Sequence, residues 1–140
     1  MPRLTMRPLV QANLEKRVLS LVNEERRRAG QSRLDTDPLL GEAARAHSAD
    51  MAKRNYYSHV SPEGTTVGDR VVVVAGDAFA AVGENIAWGQ ENPIQVVTAW
   101  MRSPGHRANI LHTSYTHLGV GVATARRGAL VWTQNFGIRH

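Results

Sequence analysis

Residues 118–137 read LGVGVATARRGALVWTQNFG. Leu118, Val120, Val122 and Thr124 alternate with smaller residues, and Leu130, Trp132, Gln134 and Phe136 alternate likewise. Between the two runs, Arg126, Arg127 and Gly128 make a turn. A period of two on both sides of a turn predicts a β-hairpin with one face turned to a core. The segments before it repeat mainly with a helical period. Helices first and a hairpin last predict an α+β fold, with helices packed on a small antiparallel sheet.

Working backwards, each helix announces its own start. Ser103 and Pro104 open SPGHRANIL, a short helix through Leu111. Ser103 is expected to cap a free backbone N–H, and Pro104 suits the first helical position. Asn92 and Pro93 open a helix to about Arg102 that buries Val96, Val97, Trp100 and Met101. Asp37 or Thr36 before Pro38 opens another, to about Arg54, with Leu40, Ala44, His47 and Met51 as its buried stripe. Leu14, Val18, Leu21 and Val22 share one face of a first helix from about Asn13 to Ala29, closed by Gly30. Residues 1–12 read as a tail and residues 13–140 as a single domain. Val71–Val74 have strand propensity, but Thr66 as a cap supports a helical turn or two.

Composition narrows the function. At 140 residues, 42% hydrophobic and 21% charged, the chain is one ordered domain with a real core. It has no cysteine, which excludes disulfides, thiolate zinc sites and a cysteine nucleophile. The longest apolar run, Val71–Ala75, cannot span a bilayer, and no apolar signal region opens the chain. The net charge of +5 invites nucleic acid as a partner. Its arginines are spread out, however, and the cluster Arg26–Arg28 follows Glu24 and Glu25, as on a solvated helix face. With no nucleic-acid motif beside it, this charge fits anionic surfaces equally well.

The chemistry-bearing residues are His59 in NYYSHVSPEG, Glu84 in VGENIAWG and His106 in SPGHR. The positive end of a helix disfavours imidazolium, so His106 is expected to be neutral. Two imidazoles and a carboxylate can hold zinc with one position open, or can simply hydrogen-bond to one another. His47 reads as a packed core residue. Asn85 and Asn109 are expected to secure turns, and Trp88, Trp100 and Trp132 to be core, with rimming a groove as the alternative for Trp88. No G-x-S-x-G motif supports a serine hydrolase.

Taken in order, HSADMAKRNYYSHVSPEG, GENIAWG, AWMRSPGHRANIL, LGVGVA and WTQNFG resemble the CAP superfamily. These are the SCP-like domains named for cysteine-rich secretory proteins, antigen 5 and pathogenesis-related 1, and this chain is most similar to their short bacterial branch. The resemblance runs from about residue 14 to 137. It implies a three-layer α–β–α sandwich with a shallow cleft, lined by two histidines and one or two glutamates and holding zinc in some members. His59 matches the first histidine, Glu84 the first glutamate and His106 the second histidine. The second glutamate has no counterpart, because no acid occurs from Asn92 to His140. The resemblance implies an extracellular or cell-surface address and a lipid, cell-wall fragment or peptide as ligand, with no cofactor required and zinc as the candidate cation. The opening residues leave a cytoplasmic address as the alternative, and a monomer is expected. The rival readings are a metal-dependent or acid–base hydrolase on the same trio and a purely structural polar staple.

Overall fold

The computed structural model describes residues 6–140. Five helices, α1 (Pro8–Arg28), α2 (Pro38–Arg54), α3 (Val67–Ala75), α4 (Pro93–Met101) and α5 (Pro104–Ile110), flank a four-stranded sheet. Its strands are β1 (Asp35–Thr36), β2 (Phe79–Trp88), β3 (His117–Thr124) and β4 (Leu130–Arg139), in the order β1-β3-β4-β2. The hairpin β3–β4 is antiparallel and turns at a 3-10 segment, Arg126–Gly128, while β2 pairs antiparallel with β4. The two-residue β1 pairs parallel with β3, so the sheet is mixed rather than purely antiparallel. A two-residue strand has no periodicity to read.

The sheet's two faces are built differently. Leu118, Val120, Val122, Trp132 and Phe136 point towards α1, α4 and α5 and form the main core with Val18, Val22, Val96, Val97 and Trp100. The opposite face meets α2, and here the odd positions of β3 decide the packing. A Cβ on Gly119 would overlap the backbone of Gly41, and one on Gly121 would overlap the backbone of Arg45. Helix and strand therefore touch backbone to backbone. Ser48 of α2 completes the contact, its hydroxyl donating to the Gly121 carbonyl at 2.9 Å.

Helix starts follow their caps, with two departures. Asp37 accepts from Leu39 and Leu40 N–H, Asn92 accepts from Gln95 N–H, and Thr66 forms a capping box with Asp69. Ser103 occupies the N-cap position of α5 but makes no capping bond. Helix α1 begins at Pro8, ahead of the expected Asn13. Its first turn exposes Leu9 and Val10, so the apolar stripe starts later than the helix does. Gln11 in that turn donates to the Val122 carbonyl at 2.7 Å, so residues 8–12 belong to the domain. Residues 1–5 of the expected tail lie outside the described residues.

Candidate functional site

The free edge of β2 organises the site. Alternation sends Glu84 to the α2 face and Asn85 to the α5 face. The edge itself is covered by side chains: Asn109 donates to the Glu84 carbonyl, and Tyr57 and Trp100 donate to the Ile86 carbonyl. A Cβ on Gly83 would overlap the Tyr115 hydroxyl, so glycine there leaves room for that side chain.

Glu84 is buried, with 1% of its side chain exposed, and donors from three residues surround its carboxylate. His59 Nδ1 lies 2.9 Å from Oε1, and Arg70 Nη2 donates to Oε1 at 3.2 Å and Oε2 at 3.0 Å. Asn135, with its amide nitrogen turned to the carboxylate, donates to Oε2 at 2.9 Å. Arg70 Nη2 has two hydrogens and gives one to the His59 carbonyl at 2.8 Å, so its contacts to the two Glu84 oxygens share the other. Because an ionised carboxylate only accepts, His59 Nδ1 carries the hydrogen. Nε2 of a neutral His59 is then a bare lone pair on a side chain that is 51% exposed.

Arg70 ties the cluster to α3 and the preceding loop, donating also to the carbonyls of Thr65 and His59. The sequence reading missed it. The available signal was charge balance: a buried Glu84 needs a cation, and Arg70 is the only basic residue of α3. His47 is the packed core residue expected, with Nε2 donating to the Ser58 carbonyl at 2.8 Å. That nitrogen also lies 3.8 Å from Glu84 Oε1, so His47 borders the cluster. Burial holds its pKa below the usual imidazole value.

His106 stands on α5, whose position is set from the sheet. Asn85 donates to the His106 carbonyl at 3.1 Å, and Asn109 donates to Asn85 Oδ1 at 2.9 Å. These asparagines join strand to helix rather than securing turns. Burial, and then the charge of His59 nearby, lowers the pKa of His106 and favours its neutral form. Its ring makes no hydrogen bond to Glu84 among the described residues. Beside the cluster, Asn55, Tyr56, Tyr57 and Trp88 line a recess of about 300 Å³.

The donor set can be tested against zinc. Donors from three residues already crowd Glu84, and a metal on it would face the Arg70 guanidinium at hydrogen-bond distance. Glu84 instead stands behind His59 as an orienting partner, an arrangement common for metal-bound histidines. That leaves two imidazoles, whereas protein zinc sites usually take three or four protein ligands. Among the described residues no group of three or more His, Asp or Glu is placed to hold a metal. A three-ligand zinc site on His59, Glu84 and His106 does not fit these residues.

A sequence model of the cysteine-rich secretory protein family, CAP, matches residues 19–136. The chain belongs to that family. It is 43% identical over 122 residues to the uncharacterised protein YkwD of Bacillus subtilis, covering 87% of this chain and 46% of YkwD. The chain thus spans less than half the length of this curated relative. Among solved structures it resembles an extracellular SCP-domain protein of Bacillus anthracis, with a TM-score of 0.83 and 34% identity. That match covers 96% of this chain and 44% of the other. An outer surface protein of Borrelia burgdorferi shares the fold, with a TM-score of 0.88 at 22% identity over 99% of this chain and all of that one. The α–β–α sandwich of the CAP domain is therefore the fold of this chain.

Proposed function

We propose that the edge bearing His59 and His106 is a ligand-binding cleft that does not turn its ligand over. The observation that carries this reading is the crowding around the buried Glu84 carboxylate. His59, Arg70 and Asn135 all hold donors against its two oxygens, which stands against its reaching a substrate proton or a water. General-base chemistry needs the base within hydrogen-bond reach of that proton. Glu84 instead anchors Arg70 and orients His59.

The surfaces left for a ligand are the two imidazoles and the aromatic recess. Tyr57 is 54% exposed, and Trp88 lies on the same strand face as Glu84. A ligand with polar groups for His59 and His106 and a flat apolar face for Tyr57 and Trp88 satisfies both. Lipids, cell-wall fragments and peptides are the three classes in view. A cell-wall glycopeptide combines ring faces with polar groups and is the first to test. We place this activity outside the cell, in a monomer. The extracellular Bacillus anthracis protein supports that address.

The test is a titration followed by NMR at the imidazole and indole resonances. The probes are a disaccharide–peptide wall fragment, a short-chain phosphatidylglycerol below its micelle concentration, and the free stem peptide. One class is expected to shift His59, His106 and Trp88 and to be recovered chemically unchanged. His106→Ala is expected to weaken it at least tenfold. Cleavage of a probe that stops in Glu84→Gln would establish the hydrolase instead.

A further inference from the structure

A second candidate site lies at the opposite edge of the sheet, on β1. We infer that this edge takes up an extended acidic peptide as an added strand.

The backbone supplies the first observation. Asp35 N–H donates to the Thr116 carbonyl and Asp37 N–H to the Leu118 carbonyl, so both face β3. Residues alternate in a strand ladder, so the N–H and C=O of Thr36 point away from β3, as do those of Leu34. Leu34 is already served. The Asn23 carboxamide donates to the Leu34 carbonyl at 3.0 Å and accepts from the Leu34 N–H at 2.9 Å. A single side chain there makes the pair of bonds that a neighbouring strand would make. Two residues on, no side chain or backbone group among the described residues does this for Thr36, and its donor–acceptor pair stays open among them.

The second observation is where that pair points. Thr36 lines a recess of about 480 Å³ between β1 and α1, together with Asn23, Lys16, Arg27 and Arg33. Glu24 is the one acid in its wall, and Arg27 and Arg28 both pair with it. Among the described residues, Lys16 and Arg33 form no ion pair. The recess therefore joins an open strand edge to uncompensated positive charge. Backbone pairing gives such an edge affinity for any extended chain, and side chains at alternate positions give selectivity. Here the selectivity is for carboxylates, which would meet Lys16 and Arg33. An exposed edge without a partner is a liability, and like-charged lysine and arginine keep a second copy of this same edge away.

The probe is a blocked heptapeptide alternating Glu and Val, added to the full chain at low salt. Saturating peptide is expected to slow hydrogen exchange of the Thr36 amide at least tenfold and to bind more weakly as salt rises. Methylating alternate backbone nitrogens of the peptide should weaken binding at least tenfold. Lys16→Glu with Arg33→Glu should do the same while leaving the thermal melt unchanged, since both side chains are exposed. Absence of binding, an unchanged Thr36 exchange rate, or equal binding of the methylated peptide would overturn the proposal. So would inorganic polyphosphate displacing the peptide at equal charge, which would mark the recess as a general anion site.

Discussion

The two faces of the β2–β4 pair handle buried polar groups in opposite ways. On the α2 face, Glu84 opposite Asn135 is surrounded by donors from three residues, one of them a guanidinium shared between both its oxygens. On the α5 face, Asn85 opposite Gln134 is served by a looser relay. Its bond to Gln134 is 3.4 Å long, and Gln134 Nε2 is buried without a partner. Adjacent residues of one strand thus meet two standards. A buried carboxylate without partners costs several kcal/mol, whereas a neutral amide left partly unpaired costs about 1–3 kcal/mol. The carboxylate itself is met by donors from three residues, and what stays unpaired on that face is Arg70 Nε, against Gln134 Nε2 on the neutral face. The crowding at the carboxylate is the ground for our proposal that Glu84 takes no part in chemistry.

Arg70→Met tests the charged face most harshly. It leaves Glu84 buried without its cation, and we expect a loss of about 3–5 kcal/mol by urea unfolding. Gly121→Ala acts on the same side of the sheet by a different route. The added Cβ forces α2 away from β3, and the expected loss is about 3 kcal/mol, the upper end for overpacking. On the neutral face, Asn85→Ala should cost about 1–2 kcal/mol, read from the same unfolding curves. It should also loosen α5, seen as faster amide exchange around Asn109. A cost equal to that of Arg70→Met would erase the contrast between the faces.

The smallest effect is in pH. His47 has its pKa lowered by burial, so the unfolded chain takes up the proton first as pH falls through the usual value of 6.5. Stability is then lost with falling pH below that value, and the slope in this range should flatten in His47→Gln. The groups facing His47 are Glu84, Arg70, Asp50 and the Ser58 carbonyl. Asp50, whose own pKa is lowered chiefly by Arg54, adds a further loss at more acidic pH.

The sequence reading succeeded where local chemistry repeats. Pro after Asp37 or Asn92 marked α2 and α4, and the period of two marked the hairpin, whereas α3, with Thr66 set against four valines, was read as helical on the family resemblance. Five ordered motifs pointed to the family. The misses share one physical cause: the partner lies far along the chain or leaves no period. Strand β1 is two residues long, and Pro8 starts a helix whose first turn exposes its apolar residues. Arg70 meets Glu84 fourteen residues away, and Asn135 reaches it from another strand. Ser103 sits where a cap belongs, but its hydroxyl makes no capping bond.

The central claim is that Glu84 is an anchor and the imidazoles are the working surface. Urea unfolding of Glu84→Gln at neutral pH tests it most directly. The substitution removes the charge that Arg70 needs and presents an amide nitrogen to a shell made only of donors. The account predicts a loss of about 3 kcal/mol or more. A variant that unfolds like the wild type, yet loses a hydrolytic activity the wild type possesses, would contradict it and make Glu84 a catalytic residue.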